Sequence, residues 1–386
     1  MKRTLLLSIV MTLTLVVTAQ HVTRTMTWDG TERQYLEYVP ASYTGETPVP
    51  VIFCLHGLGD DMNNFSGVGF DYLPGNWIMI TPQALVASLS GYTIGTAWNS
   101  GAGAELPFFG YTVLNADVDD EGYLLAILDS LENNFNINTD SVFFMGFSMG
   151  GFMSHKMAIR HGDRITAIAS VNGTIGSDVT DEPITNVNVL HFHGTADQTI
   201  AYEDAAFNTG GMGTYTVGLG AEQTVEFWRA YNNCAIDPVV TYFPNTREDG
   251  KTFERYLYQD GDNNSYTAFI KIIGGDHEWY YEPQNDIDYT TEIYKFFTNT
   301  MDFPSGNNLT AAKPEISVFP NPATDVIAVN LDKATSLSLF DITGKCVLSQ
   351  NFEAGLQYLN IAELPAGIYM LQCDGESVST KISVVR

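Results

Sequence analysis

The sequence has few cysteines and few histidines. Only 4 of its 386 residues are cysteine, too few for the disulfide framework of a small secreted scaffold. We expect Cys54 to lie in a buried strand, and Cys346 could pair with Cys373 or both could stay free thiols. The 7 histidines are scattered along the chain without the spacing of metal ligands. We therefore expect neither a metal site nor a cofactor.

Basic residues are also scarce. The chain has 18 Lys and Arg against 45 Asp and Glu, a net charge of −27, and the acidic excess lies almost entirely within residues 20–302. A strongly negative surface argues against nucleic acid and anionic polymers as partners. We interpret the charge as the solvated acidic surface of a secreted protein.

The chain contains only one long apolar run, at residues 5–17. It is too short to span a bilayer, it follows Lys2-Arg3, and it precedes the small residues of Val17-Thr18-Ala19. This order predicts a secretory signal peptide at residues 1–19, with a single amino-terminal anchor as the alternative. We expect no other membrane-spanning segment.

The pattern of apolar and polar residues changes once along the remaining chain. Residues 20–302 alternate short apolar segments with helical patterns, for example at 120–135 and 221–233. This alternation predicts an α/β fold in which helices cover both faces of a mainly parallel sheet. Residues 303–315 are rich in turn formers and predict a linker. Residues 316–386 show short alternating strands, which predict a small all-β sandwich.

Gly146-Phe147-Ser148-Met149-Gly150 is the most informative motif of the chain. It follows an apolar run at 141–145, predicted to be a buried strand, and it opens a predicted helix at 150–158. Gly-x-Ser-x-Gly between a strand and a helix is typical of a nucleophile elbow, a sharp turn that exposes the serine Oγ. We therefore predict that Ser148 is a nucleophile. A plain tight turn is the alternative.

Two further residues complete a predicted triad. The expected chain order is serine, then acid, then histidine. Asp197 follows a predicted buried strand at 187–193, and His277 is the only histidine after it in the chain. His277 would accept the proton of Ser148, and Asp197 would hold the imidazole. The alternatives are a turn or capping aspartate and a surface-loop histidine.

The developing alkoxide of such a reaction needs two preorganised N–H donors. The backbone N–H of Met149 is one candidate. The second is the backbone N–H of Leu58, which follows the His56-Gly57 turn after a predicted central strand at 49–55. We expect His56 to brace this loop rather than to act as a base.

Longer motifs carry a resemblance to a known family. They are Leu55-His56-Gly57, Trp98-Asn99-Ser100-Gly101, and residues 118–124, 146–151, 193–197, 227–234 and 274–279. Across residues 22–300 the chain resembles the polyhydroxybutyrate-depolymerase-like esterases, which overlap the feruloyl and acetylxylan esterases of carbohydrate esterase family one. The resemblance implies the α/β-hydrolase fold and ester hydrolysis through an acyl-enzyme. The cysteine commonly seen after His-Gly is Leu58 here, and the cysteine that often follows Tyr-x-Tyr-x-Asp is absent from residues 256–260. The family's usual partner for Cys234 is therefore missing, and we infer no such disulfide.

The end of the chain carries a second resemblance. Val318-Phe319-Pro320-Asn321-Pro322-Ala323 and residues 341–345, 364–369 and 381–386 resemble the carboxyl-terminal sorting domain of type IX secretion in the Bacteroidetes. The resemblance implies that residues 316–386 engage the type IX secretion machinery and that the protein is secreted or held at the cell surface. A carbohydrate-binding sandwich is the alternative, but this stretch lacks the tryptophan that such modules commonly use.

The sequence says less about the substrate. Trp98 lies in a stretch rich in glycine, serine and threonine, and Trp279 follows His277 closely. We expect these indoles to stack on a sugar or feruloyl ring; packing under loops is the alternative. The predicted function is a secreted serine esterase that removes feruloyl or acetyl groups from plant cell-wall polysaccharides. A polyester depolymerase is the alternative enzyme, and a non-catalytic carbohydrate-binding protein is the alternative outside enzymes.

Overall fold

A computed structural model describes residues 21–66, 68–209, 213–301, 318–319, 323–331, 334–341, 345–373 and 379–386. The predicted signal peptide and the predicted linker lie outside the described residues. The chain divides into two compact units, Met1–Phe303 and Pro304–Arg386. No described helix is both long and apolar enough to cross a membrane.

Sixteen strands and five α-helices are described in the first unit. The strands are β1 (His21–Trp28), β2 (Thr31–Tyr38), β3 (Val49–Leu55), β4 (Ile78–Pro82), β5 (Val86–Leu89), β6 (Tyr92–Thr96), β7 (Gly103–Leu106), β8 (Gly110–Val113), β9 (Ile137–Phe147), β10 (Ala167–Val171), β11 (Asn188–Gly194), β12 (Ala206–Asn208), β13 (Thr214–Thr216), β14 (Val239–Tyr242), β15 (Thr252–Tyr258) and β16 (Thr267–Ile273). The helices are α1 (Met62–Phe65), α2 (Asp120–Asn134), α3 (Met149–His161), α4 (Ala221–Tyr231) and α5 (Tyr289–Phe297).

Ten of these strands form one sheet in the order β1-β2-β4-β3-β9-β10-β11-β16-β15-β14. The six strands from β4 to β16 are parallel, and the two outer strands at each edge pair antiparallel. The mainly parallel sheet predicted from the sequence is therefore confirmed. Because parallel strands end at the same edge, the loops after β3, β9, β11 and β16 all leave the sheet on one side.

Both faces of the sheet are buried. In β3, Val51, Phe53 and Leu55 pack in the cluster that contains α2 and α3, whereas Ile52 and Cys54 pack in the cluster that contains α5. Successive side chains of a strand point to opposite faces, so a strand covered on both sides is apolar throughout. Each fully buried side chain of this size contributes roughly 1.5–3 kcal/mol. The predicted helices on both faces are present.

The cysteine side chains that the structure describes are free. Cys54 and Cys234 are buried and Cys346 is exposed. The side chain of Cys373 lies outside the described residues, so its pairing with Cys346 stays a prediction.

Three small hairpins stand apart from the large sheet. They are β5–β6, β7–β8 and β12–β13, each a two-stranded antiparallel sheet of its own. The sequence reading did not predict them, because strands of three to five residues give too little periodicity to identify.

The second unit contains two antiparallel sheets. Its strands are β17 (Val318–Phe319), β18 (Val326–Leu331), β19 (Thr335–Asp341), β20 (Cys346–Phe352), β21 (Gly355–Asn360), β22 (Gly367–Cys373) and β23 (Ser379–Val384). The sheets have the orders β17-β18-β21 and β20-β19-β22-β23. Ile327 and Val329 of the first sheet share one core with Leu339 and Leu371 of the second. This arrangement agrees with the predicted β-sandwich.

Candidate active site

Ser148 occupies a strained turn between β9 and α3. Its φ of 54° and ψ of −119° place a non-glycine residue in a region that is costly and often marks a functional site. A Cβ on Gly146 would lie 2.1 Å from the carbonyl carbon of Gly150, and a Cβ on Gly150 would lie 2.0 Å from the Leu55 oxygen. Both glycines are therefore required because β9, α3 and the end of β3 approach so closely.

Asp197 and His277 form a direct pair. Asp197 lies in the turn after β11, and its Oδ1 accepts hydrogen bonds of 2.8 Å from the backbone N–H groups of Thr199 and Ile200. Its Oδ2 accepts a 2.7 Å hydrogen bond from His277 Nδ1, across 80 residues of sequence. The Asp197 side chain is fully buried, and that of His277 is 12 % exposed. Because Nδ1 donates to Asp197, Nε2 is the ring nitrogen that can act as a base.

The loops that carry these two residues are held together. The Ala196 N–H donates to the Gly275 oxygen at 2.8 Å, and the Gln198 N–H donates to Asp276 Oδ1 at 2.9 Å. A Cβ on Gly194 would lie 2.3 Å from the Gly275 oxygen. The two glycines allow the ends of the neighbouring strands β11 and β16 to approach, which brings Asp197 to His277.

His56 fixes the loop that follows β3. The Ala84 N–H donates to His56 Nε2 at 3.1 Å, so Nδ1 carries the proton and donates to the Gly57 oxygen at 2.8 Å. Burial lowers the pKa of His56, which keeps the ring neutral and able to accept. The Trp98 indole N–H donates to the His56 oxygen at 2.9 Å. This bracing role agrees with the one expected for His56.

The two predicted oxyanion donors lie beside Ser148. A Cβ on Gly57 would lie 3.5 Å from Ser148 Cβ, so the His56 loop lies against the serine turn. The C=O and N–H of a trans peptide point in opposite directions, so the bond from His56 to the Gly57 oxygen aims the Leu58 N–H away from His56. Neither the Leu58 nor the Met149 N–H donates to another group in the described parts of the chain. Met149 is also the first residue of α3, where the helix dipole favours negative charge.

Ser148 and His277 open onto one cavity of about 440 Å³. Its walls are mostly apolar, and the three small hairpins supply much of them. The other lining residues are Gly57, Leu58, Asp60, Leu89, Ile94, Ala102, Ala104, Leu106, Thr112, Leu114, Phe147, Met149, Phe152, Thr199, Ile200, Phe207, Thr209, Tyr215 and Val217. The cavity-lining residues on the hairpins are not predicted from the sequence, because the hairpins themselves are not predicted.

A second buried histidine stands behind the acid. His193 Nε2 lies 2.9 Å from the Ile200 oxygen and 3.5 Å from Asp197 Oδ2. His191 Nε2 lies 3.4 Å from His193 Nδ1. Burial lowers the pKa of both rings, so both stay neutral and His193 braces the turn that carries Asp197. No three His, Cys, Asp or Glu side chains of the described residues converge as metal ligands would.

The structure contradicts the prediction for Trp98. Its side chain is fully buried, does not line the cavity, and acts as a hydrogen-bond donor to the loop of His56. Trp279 is partly buried and packs edge-on against Phe65 and Phe147, with ring centroids 5.9 and 6.3 Å apart. It does not line the cavity either. The alternative, aromatics packed beneath loops, describes both positions.

Comparisons with known proteins find two matching families and several similar proteins. Residues 50–210 match the family described as the alpha/beta hydrolase fold, and residues 317–385 match the secretion system C-terminal sorting domain. A probable feruloyl esterase C from Aspergillus oryzae is 25% identical over 207 residues, which cover 50% of this chain and 69% of that protein. A bifunctional acetylxylan esterase/xylanase from Neocallimastix patriciarum is 24% identical over 41% of this chain and 21% of its own length.

Among solved structures, a CE1 ferulic acid esterase from Anaeromyces mucronatus in complex with ferulic acid is similar to this chain. The two are 17% identical, with a TM-score of 0.42, over 73% of this chain and 90% of that one.

Proposed function

Because the chain is a carboxylic ester hydrolase of the α/β-hydrolase fold that carries a secretion sorting domain, we propose that it is a secreted serine esterase. Its proposed substrates are feruloyl or acetyl groups on plant cell-wall polysaccharides, and Ser148, Asp197 and His277 are its proposed triad. The observation that carries the proposal is the cavity onto which Ser148 and His277 both open, with His277 hydrogen-bonded to buried Asp197.

Acylation begins at Ser148. Its Oγ attacks the ester carbonyl while His277 Nε2 takes the hydroxyl proton. The carbonyl oxygen becomes an oxyanion that accepts hydrogen bonds from the Leu58 and Met149 N–H groups. Asp197 stabilises the imidazolium that forms. His277 then gives its proton to the leaving alcohol of the polysaccharide, and the acyl group stays on Ser148 as an ester.

Deacylation repeats these steps with water. His277 removes a proton from the water as it attacks the acyl carbonyl, and the same two N–H groups hold the second oxyanion. Collapse of this intermediate returns the proton to Ser148 Oγ and releases the carboxylic acid.

The cavity favours a bulky acyl group over acetyl. Its volume of about 440 Å³ and its apolar walls suit a ring and its side chain. Burial of apolar surface contributes about 25 cal/mol per Å² to the free energy of binding, so the larger acyl group binds more tightly. An acetyl group would leave most of these walls without contact. The names of the similar esterases include both feruloyl and acetylxylan activities.

The test compares three substrates at equal enzyme concentration: feruloylated arabinoxylan, acetylxylan and a polyhydroxybutyrate suspension. We expect release of ferulate with the highest kcat/KM, and Ser148→Ala serves as the inactive control. Activity only on acetylxylan would remove the feruloyl assignment. Clearing of polyhydroxybutyrate without any release of ferulate or acetate would replace the proposal with a polyester depolymerase.

A further inference from the structure

We propose that exposed aromatic side chains on the hairpins β5–β6 and β7–β8 bind the neutral polysaccharide chain that carries the ester. We call Tyr92, Phe108, Phe109 and Tyr111 the aromatic rim. The inference rests on the proposed function, because it extends the same site from the ester to the polymer around it.

The rim residues lie on the elements that wall the cavity of Ser148. Hairpin β5–β6 lines that cavity with Leu89 and Ile94, and hairpin β7–β8 lines it with Leu106 and Thr112. The same two hairpins carry the four exposed aromatic rings, of which Phe108 is fully exposed and Tyr92 is 77 % exposed. A polymer whose ester reaches Ser148 would therefore meet the hairpins that carry these rings.

Phe108 is unusual in two independent respects. It lies in the connection between β7 and β8 with its large apolar side chain entirely in solvent. Its φ of 70° is also in the left-handed region, which is rare for a bulky residue. A strained, exposed aromatic residue at a loop beside an active site points to a function in binding.

The hairpin that carries Phe108 is anchored to the body of the unit. The Tyr111 hydroxyl lies 3.1 Å from Ser177 Oγ, and the Gly103 N–H donates to the same Oγ at 3.3 Å. Because the backbone of this hairpin is held in place before binding, less conformational freedom is lost when a ligand stacks on its rings.

The charge of this region selects the class of partner. In a chain with 45 acidic residues, residues 85–116 contain one charged side chain, Glu105, and no basic residue. An uncharged face on a strongly negative protein suits a neutral polymer better than an ionic one. Aromatic rings with hydroxyls on two of the four suit the alternating C–H faces and hydroxyls of sugar rings.

The test measures binding separately from hydrolysis. Full-length wild type, Phe108→Ala/Phe109→Ala and Tyr92→Ala are mixed with insoluble arabinoxylan from which alkali has removed all esters, and unbound protein is measured. Tyr72→Ala is the matched control, because Tyr72 is 87 % exposed but lies outside the two hairpins that wall the cavity. Each rim variant should bind about two- to twelvefold more weakly per ring removed, whereas the control should bind as the wild type does. Equal melting temperatures check the fold.

Three results would overturn the inference: no binding of wild type to the de-esterified polymer, equal binding by the rim variants, or rim-dependent binding to polyhydroxybutyrate particles instead. Binding abolished by 0.5 M salt would overturn the neutral-contact argument, since salt screens charges and not ring stacking. Failure of the proposed function would appear separately, as absent release of ferulate or acetate from esterified arabinoxylan. With the function intact, the rim variants should lose at least threefold more kcat/KM on feruloylated arabinoxylan than on p-nitrophenyl acetate.

Discussion

At the residue scale, the proposed chemistry depends most on Ser148. Ser148→Ala should lower kcat/KM on p-nitrophenyl acetate by several orders of magnitude, because the attacking oxygen is lost while the rest of the cavity remains. A serine-reactive phosphonate should label wild type at Ser148 and leave Ser148→Ala unlabelled. Circular dichroism should give superimposable spectra for the two proteins. A variant that retained a tenth of wild-type turnover would contradict the assigned nucleophile.

Trp98 illustrates a residue whose expected effect changes with the structure. Trp98→Ala should lower kcat/KM for methyl ferulate and for p-nitrophenyl acetate by the same factor, because the indole supports the His56 loop rather than the substrate. It should also destabilise the fold by about 3–5 kcal/mol, as is usual when a buried aromatic residue is truncated.

Trp98→Phe separates packing from hydrogen bonding, because it fills most of the space but removes the N–H donor. It should recover most of the stability and keep the equal effect on both substrates. A loss of kcat/KM confined to methyl ferulate in either variant would instead support a direct contact between Trp98 and the feruloyl ring.

The sequence could predict some of these residues but not all. Ser148 could be predicted because glycines, an apolar run and a helix pattern mark its turn within a short stretch of sequence. Asp197 and His277 could be predicted from the order of triad residues along the chain, since only one histidine follows Asp197. The burial of Trp98 could not be predicted from the sequence, because the exposure of a side chain depends on which loops from elsewhere in the chain fold over it. The donor to the His56 oxygen lies 42 residues away in sequence.

At the element scale, the same contrast separates the large sheet from the hairpins. Buried strands such as β3 and β16 could be predicted because each is a run of seven residues with few polar side chains. The hairpins β5–β6, β7–β8 and β12–β13 could not, because their sequences are short and mixed. Their conformation depends on contacts with distant parts of the chain, such as the hydrogen bond from Gly103 to Ser177, and such contacts cannot be predicted from a short segment.

The helices α2 and α3 offer a test of pH dependence. Glu121, at the start of α2, bonds to Lys156, Arg160 and His161 of α3. Burial acts to raise the pKa of Glu121, but the hydrogen bonds from His161 and Lys156 and the charges of Lys156 and Arg160 outweigh it and lower the pKa to about 2. A carboxyl whose pKa is lowered in the folded state stabilises the fold above its ordinary value of 4.5, and this stabilisation disappears as the pH falls towards 2.

Glu121→Gln should therefore reduce the free energy of unfolding by about 1.5–3 kcal/mol at pH 7, the usual range for hydrogen bonds to charged groups. The difference from wild type should shrink below pH 4.5 and be nearly gone near pH 2. Urea unfolding across this pH range measures it. The control is Glu132→Gln, because among the described residues Glu132 forms an ion pair only with Arg164, and it is one-third exposed. Its effect should therefore stay below about 1 kcal/mol at every pH. A constant difference for Glu121→Gln down to pH 2 would contradict the assignment.

At the scale of the whole molecule, we propose separate roles for the two units. The proposed triad, the two oxyanion donors and the cavity all lie in the first unit. The second unit has its own core, drawn from its two antiparallel sheets, and it contains the stretch that matches the sorting domain. A domain with its own hydrophobic core can in principle fold alone.

Removal of residues 303–386 should therefore leave the chemistry intact and abolish export. We expect a protein of residues 20–302 to hydrolyse p-nitrophenyl acetate with kcat and KM within about twofold of the full chain, since no proposed catalytic group is lost. The same deletion in the native host, with the predicted signal peptide at residues 1–19 kept, should leave the enzyme in the periplasm, because the segment that resembles the sorting domain is gone. Fractionation and activity assays of periplasm, cell surface and medium measure both effects.

A deletion of residues 20–302 that still exports residues 303–386 fused to a reporter is the reciprocal control. Normal appearance of the truncated enzyme in the medium would refute the sorting role, whereas a truncated enzyme that folds but has lost its turnover would refute the confinement of the chemistry to the first unit.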